Sequence, residues 1–223
     1  DGIASYVLPT LIYGKAHPYG NPGTGAGEAA SVRTISRDAL MQFHQNWLRP
    51  DNAQIFVIGD TTLAALKPQL EAALGDWKAP TTPKPVKAFT AAIPAAANKI
   101  YLIDRPGSGQ SVILAGTVID KTGRDDLVTL RQGNDVMGGS FLSRMNSDLR
   151  ETKGWSYGMY SAINSYENRT SFILNAPVQA DRTGDSVVAI MSQMRDFLGA
   201  KGTTAAELER TTNGSVRELP GQF

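Results

Sequence analysis

The chain has 223 residues, of which 41% are hydrophobic and 19% charged, so it is long enough for one large domain or two small ones with buried cores. Its net charge of +1 comes without long like-charge runs, which argues against a nucleic-acid surface or a polybasic membrane patch. The lack of cysteine excludes disulfides, thiolate zinc sites and cysteine nucleophiles. The longest apolar runs are far shorter than the ~18 residues of a membrane helix, so we expect no membrane span.

The first third of the chain contains a predicted loop, two helices and a strand. Residues 1–35 are rich in glycine and proline, which predicts an extended segment followed by a loop. Ser36 is the predicted N-cap of an amphipathic helix. The β-branched and aromatic segment 53–59, AQIFVIG, predicts a strand. Thr61 or Thr62 is the predicted cap of a second helix, which has four leucines on one face.

A linker is predicted over residues 79–97. This segment carries four prolines and many alanines without a helix or strand period. We therefore expect one domain to end within residues 1–78 and a second domain to occupy residues 98–223.

The elements after the linker predict the fold class. KIYLID and QSVILAGTV are two predicted strands around a Pro-Gly-Ser-Gly turn. Further along come a helix from about residue 124, a short helix over 141–151, strands over 156–165 and 170–178, a long helix, and a last helix with a capping box at Thr204 and Glu207. Paired strands that alternate with paired helices indicate the α+β class, with a largely antiparallel sheet and helices packed on one face.

The chain by itself offers no complete set of catalytic groups. A hydrolytic zinc site needs three protein ligands, and there are only two histidines. His17 lies in a loop rich in proline and glycine, and His44 falls on the apolar stripe of a predicted helix, where we expect a buried structural histidine. Neither a nucleophile elbow nor a phosphate-binding loop is present. We expect no metal ligands and no cofactor-binding residues in this chain.

One segment stands apart, the run GGSFLSRMNSDLRETKGWSYG at residues 138–158. It places Arg150 and Tyr157 seven residues apart across a predicted helix-to-strand corner. An arginine in the last turn of a helix is favourable through the helix dipole, and tyrosine is a common packing residue in strands. The two residues alone therefore leave a structural role open for both.

Two pairs of residues flank this corner. Gly138-Gly139 predicts a close approach of two elements, since glycine has no side chain to obstruct it. Lys153-Gly154 predicts the turn that directs the chain into the next strand. We interpret both pairs as structural support for the corner rather than as chemistry.

Several segments resemble the insulinase/pitrilysin family of zinc peptidases. The 138–158 run resembles the signature of that family's second half, G-G-x-x-S-R-L…L-R-E-x-K-G-x-x-Y. FHQNWLRPDNAQIFVIGDTTLAALKPQLEAALGDW resembles the region that closes the first half, and AHPYGNPGTG fits the loop before it. The resemblance covers nearly the whole chain and implies the LuxS/processing-peptidase-like metallohydrolase fold. Peptidases of this family have two similar halves, of which the first binds zinc through H-x-x-E-H and a distant glutamate.

The resemblance implies a role for this chain as a truncated, non-zinc-binding second half, preceded in residues 1–78 by the tail of a zinc-type half. Arg150 and Tyr157 would be its catalytic residues, reaching across to the substrate and its transition state. Zinc would be held by a half upstream of Asp1 or by a partner subunit, and the substrate would be a peptide or unfolded protein. The parent assembly would be a zinc metalloendopeptidase, with this fragment inactive alone.

Two alternatives remain open from the sequence. The first is a non-catalytic scaffold of the same fold, like the core subunits that assemble respiratory complexes. The second is a peptide-binding module whose partner has lost zinc. The presence of both Arg150 and Tyr157 at the spacing of the family signature favours the peptidase, since a scaffold has no use for them. The resemblance favours an exported bacterial protein over a cytoplasmic one. We also expect strand 53–59 and its helices to fill the place of a missing C-terminal tail, beside the strands after residue 98.

Overall fold

The structure is a computed structural model that describes residues 2–23 and 25–221. The described residues up to Gly25 and from Phe89 onward form one compact unit, and Ala26–Ala88 form a second. The helices of the chain are α1 (Gly2–Tyr13), α2 (Ala29–Thr34), α3 (Arg37–Trp47), α4 (Leu63–Leu74), α5 (Val128–Asn134), α6 (Arg144–Asn146), α7 (Thr183–Leu198) and α8 (Ala205–Glu218).

The first unit is built on a three-stranded antiparallel sheet. Its strands are β1 (Gln110–Ile119), β2 (Tyr160–Ser165) and β3 (Thr170–Gln179), in the order β1–β3–β2. β2 and β3 form the predicted hairpin, and both outer strands pair with β3. This arrangement confirms the predicted α+β class with an antiparallel sheet.

The core lies between one face of β3 and the helical segments that precede and follow the hairpin. Side chains alternate across a strand, so every second residue of β3 reaches this face. The buried cluster contains Met137, Met145, Leu149, Met159, Leu174, Ala176, Val178 and Ile190. Each fully buried side chain of this size contributes on the order of 1.5–3 kcal/mol through apolar burial, so this face is the main source of the unit's stability.

Three helix starts follow the capping rules read from the sequence. The Ser36 hydroxyl accepts a hydrogen bond from the third residue of α3 at 3.1 Å, and the Thr62 hydroxyl does the same for α4 at 3.2 Å. Thr204 and Glu207 form the predicted capping box at α8. These contacts are local, which is why the sequence predicts them well.

Two segments with strand composition are not strands in the structure. Residues 53–59 and 99–104 lack strand hydrogen bonding, and their large apolar side chains are exposed. A strand needs a neighbouring edge for its backbone groups, and the sheet of the described residues contains only β1, β2 and β3. The predictions of a strand at residues 53–59 and at residues 99–104 are therefore wrong.

The predicted extended segment at the start of the chain is also wrong, because Gly2–Tyr13 is helical. Most of the glycines and prolines of residues 1–35 lie after Tyr13, and the apolar residues before it pack on β1. Gly116 leaves space for this contact, since a Cβ atom there would lie 2.7 Å from Ile173 Cδ1 and 3.3 Å from Leu8 Cδ2. The pairing of α1 with β1 depends on residues more than a hundred positions apart.

The buried histidine is His17, and the expectation for His44 is wrong. No residue of α3 is buried, so its apolar stripe and His44 remain exposed. His17 is buried, its ring stacks on Tyr13 with centroids 5.4 Å apart, and its Nδ1 accepts a hydrogen bond from Tyr19 N at 3.1 Å. Burial and the nearby charge of Arg169 lower the pKa of His17, which favours the neutral ring.

Arg144 fastens the start of α8 to α6. Its Nε and Nη2 each donate to a carboxylate oxygen of Glu207 at 2.6 Å, and Nη2 also donates to Gly202 O at 2.9 Å. The Glu207 carboxylate additionally accepts from the Thr204 amide and hydroxyl. The hydrogen bonds from Arg144, followed by those from Thr204, lower the pKa of Glu207 to about 2.

Glu207→Gln is expected to lower the free energy of unfolding by about 2 kcal/mol at pH 7. The folded-state pKa lies below the unfolded value, so the stabilisation is complete above about pH 4.5 and is lost as the pH falls through about 2. We set the figure below the full pKa shift because 22% of the Glu207 side chain is exposed and solvent screens the pair. Urea denaturation as a function of pH measures the difference.

Glu209→Gln is the matched control for this prediction. Glu209 is an exposed residue of the same helix with no ion pair among the described residues, so its replacement should change stability by less than about 0.5 kcal/mol. Equal effects of the two substitutions at pH 7, or a Glu207→Gln deficit that persists at pH 2, would contradict the proposed ion pair.

Candidate functional site

The helix-to-strand corner after α6 carries both residues singled out by the sequence. The chain continues from α6 into a π-helical turn, Ser147–Thr152, which contains Arg150, and Tyr157 lies just before β2. The short helix predicted over 141–151 is thus divided between α6 and this turn, and the strand predicted from residue 156 begins at Tyr160. Single π-helical turns occur often at functional positions in proteins.

Backbone hydrogen bonds fix the corner where the chain leaves the π-helical turn. Gly154 has a φ of +64°, in the left-handed region that favours glycine, which confirms the predicted turn. Trp155 N then donates to Leu149 O at 2.9 Å, and Trp155 O accepts from Gln179 N at 2.9 Å. Lys153 N donates to Asp148 O at 3.0 Å. The corner is therefore attached both to the preceding turn and to the end of β3.

The residues on either side of Tyr157 are bonded to the sheet and to each other. Ser156 Oγ donates to Pro177 O at 2.5 Å and accepts from Gly158 N at 3.1 Å. Met159, the next residue, is part of the buried core. Between these anchors the Tyr157 residue is 87% exposed. A fixed main chain thus presents a phenol to solvent.

Arg150 lies against the ring of Phe141. The guanidinium carbon lies 4.7 Å from the ring centroid, and Nε lies 2.9 Å from a carboxylate oxygen of Glu151. The Arg150 side chain is 39% exposed, and among the described residues no acceptor receives a hydrogen bond from its Nη1 or Nη2. A guanidinium stacked on an aromatic face keeps its edge donors available for another group.

The two glycines that open the segment mark a close approach, as predicted. A Cβ atom on Gly138 would lie 2.5 Å from Ser161 Oγ, and one on Gly139 would lie 2.3 Å from Asn134 Nδ2. Asn134 and Ser161 bond to each other through a hydroxyl-to-amide contact of 2.7 Å and an amide-to-carbonyl contact of 3.0 Å. The glycines let this buried pair join α5 to β2.

The sequence reasoning did not identify Phe141 or Asn146 as parts of this corner. Asn146 is buried in α6, where asparagine is a poor helix former. The sequence signal for Asn146 was an amide side chain within an otherwise apolar helix stripe, because a buried amide must find hydrogen-bond partners. Phe141 lies nine residues before Arg150 in the sequence, and that separation alone does not predict a contact. The stacking of Arg150 on Phe141 is seen only in the structure.

The described residues contain no group of three histidine, cysteine, aspartate or glutamate side chains that could hold a metal ion. Among the helices of residues 2–23 and 25–221, none combines the length and apolar character needed to cross a bilayer. The corner itself offers two hydrogen-bond donors. They are the exposed phenol of Tyr157 and the guanidinium of Arg150, which is stacked on the Phe141 ring.

A family model described as the peptidase M16 inactive domain matches residues 34–214. Curated relatives include an uncharacterized zinc protease of Mycobacterium tuberculosis, 24% identical over 97% of this chain and 48% of the relative. Another is the uncharacterized zinc protease YmxG of Bacillus subtilis, 26% identical over 95% of this chain and 49% of the relative. The chain spans about half the length of the curated relatives it matches.

Solved structures show the same fold. A peptidase M16 inactive domain from Pseudomonas fluorescens superposes with a TM-score of 0.80 at 26% identity, covering 99% of this chain and 51% of that one. A protease from Helicobacter pylori gives a TM-score of 0.79 at 17% identity, covering 97% and 52% of the two chains. The periplasmic protease PqqL from Escherichia coli gives 0.65 at 18% identity, covering 98% of this chain and 24% of that one.

Gly138→Ala is expected to lower the free energy of unfolding by about 1–3 kcal/mol, because the added methyl group would displace Ser161 from Asn134. Gly184→Ala, in α7, is the matched control, since a Cβ atom there meets nothing within 4 Å. Alanine is the better helix former, so the control should be neutral or stabilising by up to about 1 kcal/mol. Thermal unfolding of both variants tests the contact, and a neutral Gly138→Ala would contradict it.

Proposed function

The chain belongs to the M16 peptidase family, in which it matches the inactive domain, and we propose that it is the substrate-binding half of a zinc metalloendopeptidase. The observation that carries the proposal is the corner at which Arg150 and Tyr157 both present unpaired donors at the spacing of the family signature. A scaffold of the same fold has no requirement for a stacked arginine and an exposed tyrosine held on a fixed main chain.

Tyr157 is the proposed hydrogen-bond donor to the carbonyl oxygen of the scissile peptide. When a water molecule attacks that carbonyl, negative charge develops on its oxygen, and a pre-positioned donor stabilises the charge. The phenol is suited to this role because it is exposed while its flanking residues are bonded to β3 and to the core. Little reorganisation of the protein is then needed as the charge forms.

Arg150 is the proposed grip on the substrate beside the scissile bond. Phe141 supports one face of the guanidinium and Glu151 lies at Nε. Among the described residues neither Nη group donates a hydrogen bond, so both are available to a substrate. A substrate backbone carbonyl or carboxylate matches this geometry, because the planar guanidinium can donate two parallel hydrogen bonds.

Residues 2–23 and 25–221 offer no three-ligand cluster for zinc. In our proposal the metal and the attacking water belong to a half with an H-x-x-E-H motif, located elsewhere in the same polypeptide or in a partner subunit. Residues 1–78 would be the tail of that kind of half, 79–97 the linker and 98–223 the substrate-binding half. One of the two boundaries between the compact units, at Ala88–Phe89, lies within the proposed linker, and the other, at Gly25–Ala26, divides residues 1–78.

The proposed substrate is an extended peptide or a segment of unfolded protein. β2 is an edge strand of the sheet and follows the Tyr157 corner directly. Strand addition at a sheet edge binds a peptide mainly through its backbone, which gives broad sequence specificity. This route would deliver the peptide backbone to the two donors.

Tyr157→Phe in the parent protein, or in the reconstituted pair of halves, is expected to lower kcat for peptide cleavage by ~10²–10³, because it removes one donor to the developing charge. Tyr166→Phe is the matched control. Tyr166 lies beyond the far end of β2 and packs on Tyr19, and its replacement should leave kcat within about twofold. Zinc-dependent cleavage that Tyr157→Phe leaves unchanged would refute the mechanism, and an inactive wild type would favour the scaffold alternative.

Arg150→Lys is expected to raise KM by about tenfold with a smaller change in kcat, since lysine keeps the charge but loses the planar fork, a loss comparable to one charge-assisted hydrogen bond. Arg124→Lys is the control, because Arg124 is highly exposed and makes its ion pair with Glu167. Steady-state kinetics with one peptide substrate measure KM and kcat for the two variants and the wild type. Identical KM values for the Arg150 variant and the wild type would remove the proposed grip.

A further inference from the structure

We propose that Asn146 is a positioning residue that holds Arg150 and Tyr157 in their relative places. This inference rests on the proposed function of the pair. Asn146 is 3% exposed, and both ends of its amide are bonded: Nδ2 donates to Phe141 O at 2.6 Å, and Oδ1 accepts from Met159 N at 2.9 Å. One side chain therefore links the segment before α6 to the segment before β2.

The first bond leads to Arg150. Asn146 fixes the main chain of Phe141, whose ring supports the Arg150 guanidinium at 4.7 Å. Phe141 is itself largely exposed, so packing of its ring does not set its position. The carbonyl bond to Asn146 is the contact that holds this aromatic support against α6.

The second bond leads to Tyr157. Met159 N lies two residues beyond Tyr157 and just before β2, where no neighbouring strand is paired with it. Asn146 Oδ1 accepts its hydrogen bond and so attaches the distal side of the corner to α6. Ser156 attaches the proximal side to β3. The main chain of Tyr157 is thus held from two elements.

Asparagine is the residue type that this position requires. Its amide donates and accepts at once, while aspartate lacks the donor when ionised and leucine lacks both groups. Without it, Met159 N would be left without a partner beside the core, and Phe141 O would lose its hydrogen bond to α6. Asparagine is a poor helix former, so helix propensity does not account for its presence in α6.

Asn134 provides a matched control within the same unit. It is also buried, and its amide likewise makes two hydrogen bonds, both to Ser161. Among the described residues it forms no hydrogen bond with Phe141 or with residues 153–159. Removing either asparagine side chain should therefore cause a similar loss of stability, whereas only Asn146 should affect catalysis.

The test measures stability, kcat and KM in the zinc-loaded parent protein or reconstituted pair. Asn146→Ala is expected to lower kcat/KM at least tenfold. Asn134→Ala should leave kcat/KM within about threefold of the wild type, although its Tm should decrease by a comparable amount. Combining Asn146→Ala with Tyr157→Phe should lose much less than the product of the two single losses, because both act through the same phenol. Equal effects of the two asparagine substitutions on kcat/KM would overturn the proposal.

Asn146→Asp separates the two bonds and serves as the second variant if Asn146→Ala does not fold. At pH 8 the carboxylate still accepts from Met159 N but cannot donate to Phe141 O, so KM should rise while kcat stays within about threefold of the wild type. As the pH falls, the carboxyl group gains a proton and donates again, and the KM difference from the wild type should shrink. An Asp variant with wild-type KM at every pH would overturn the proposal.

The outcomes distinguish this inference from the proposed function. If Tyr157→Phe lowers kcat and the Asn146 variants do not, Asn146 is a structural residue and the function of the pair stands. If Tyr157→Phe has no effect, or the wild type cleaves no peptide, the proposed function fails and the positioning role fails with it.

Discussion

The chain between residues 153 and 159 leaves the regular hydrogen bonding of helix and sheet, and its backbone groups must find other partners. The main chain of Trp155 is bonded to the π-helical turn and to the end of β3. The Ser156 side chain bonds to β3, and the Asn146 side chain bonds to Met159 N. Because these bonds hold the main chain, Tyr157 can extend into solvent without making the corner mobile. The position of Arg150 depends on the same network, through Phe141.

Stability and the proposed activity rest on different residues in this fold. The core face of β3 and the Arg144–Glu207 ion pair hold α6, α7 and α8 around the corner. Arg150 and Tyr157 lie outside this core and bury little apolar surface. Their substitution should therefore change chemistry with little effect on folding, which makes kinetic effects at these two positions readily interpretable.

Membership of the M16 family gives this arrangement a context. The family model describes an inactive domain, and the chain spans about half the length of its curated relatives. In the proposed function, one half provides the metal and the nucleophile, and this half provides donors held by a rigid corner. In our further inference, the two hydrogen bonds of Asn146 hold Phe141, which supports the Arg150 guanidinium, and Met159, which follows Tyr157.

The sequence by itself determined the features that depend on neighbouring residues. These are the caps at Ser36, Thr62 and Thr204, the close approach at Gly138-Gly139, the turn at Gly154, the β2–β3 hairpin and the family signature around Arg150 and Tyr157. Each follows from local geometry or a short motif. The roles of Arg150 and Tyr157 remain predictions that the kinetic experiments test.

Only the tertiary structure decided which segments find partners. Residues 53–59 and 99–104 have the composition of strands, but a strand forms only when its backbone groups bond to a neighbouring strand, and neither segment pairs with β1, β2 or β3. His17 rather than His44 is buried because the rings of Tyr13, Tyr19 and Phe89 surround it, and Phe89 is distant in sequence. The hydrogen bond from Met159 N to Asn146 likewise joins residues 13 positions apart, a contact that no periodicity in the sequence specifies.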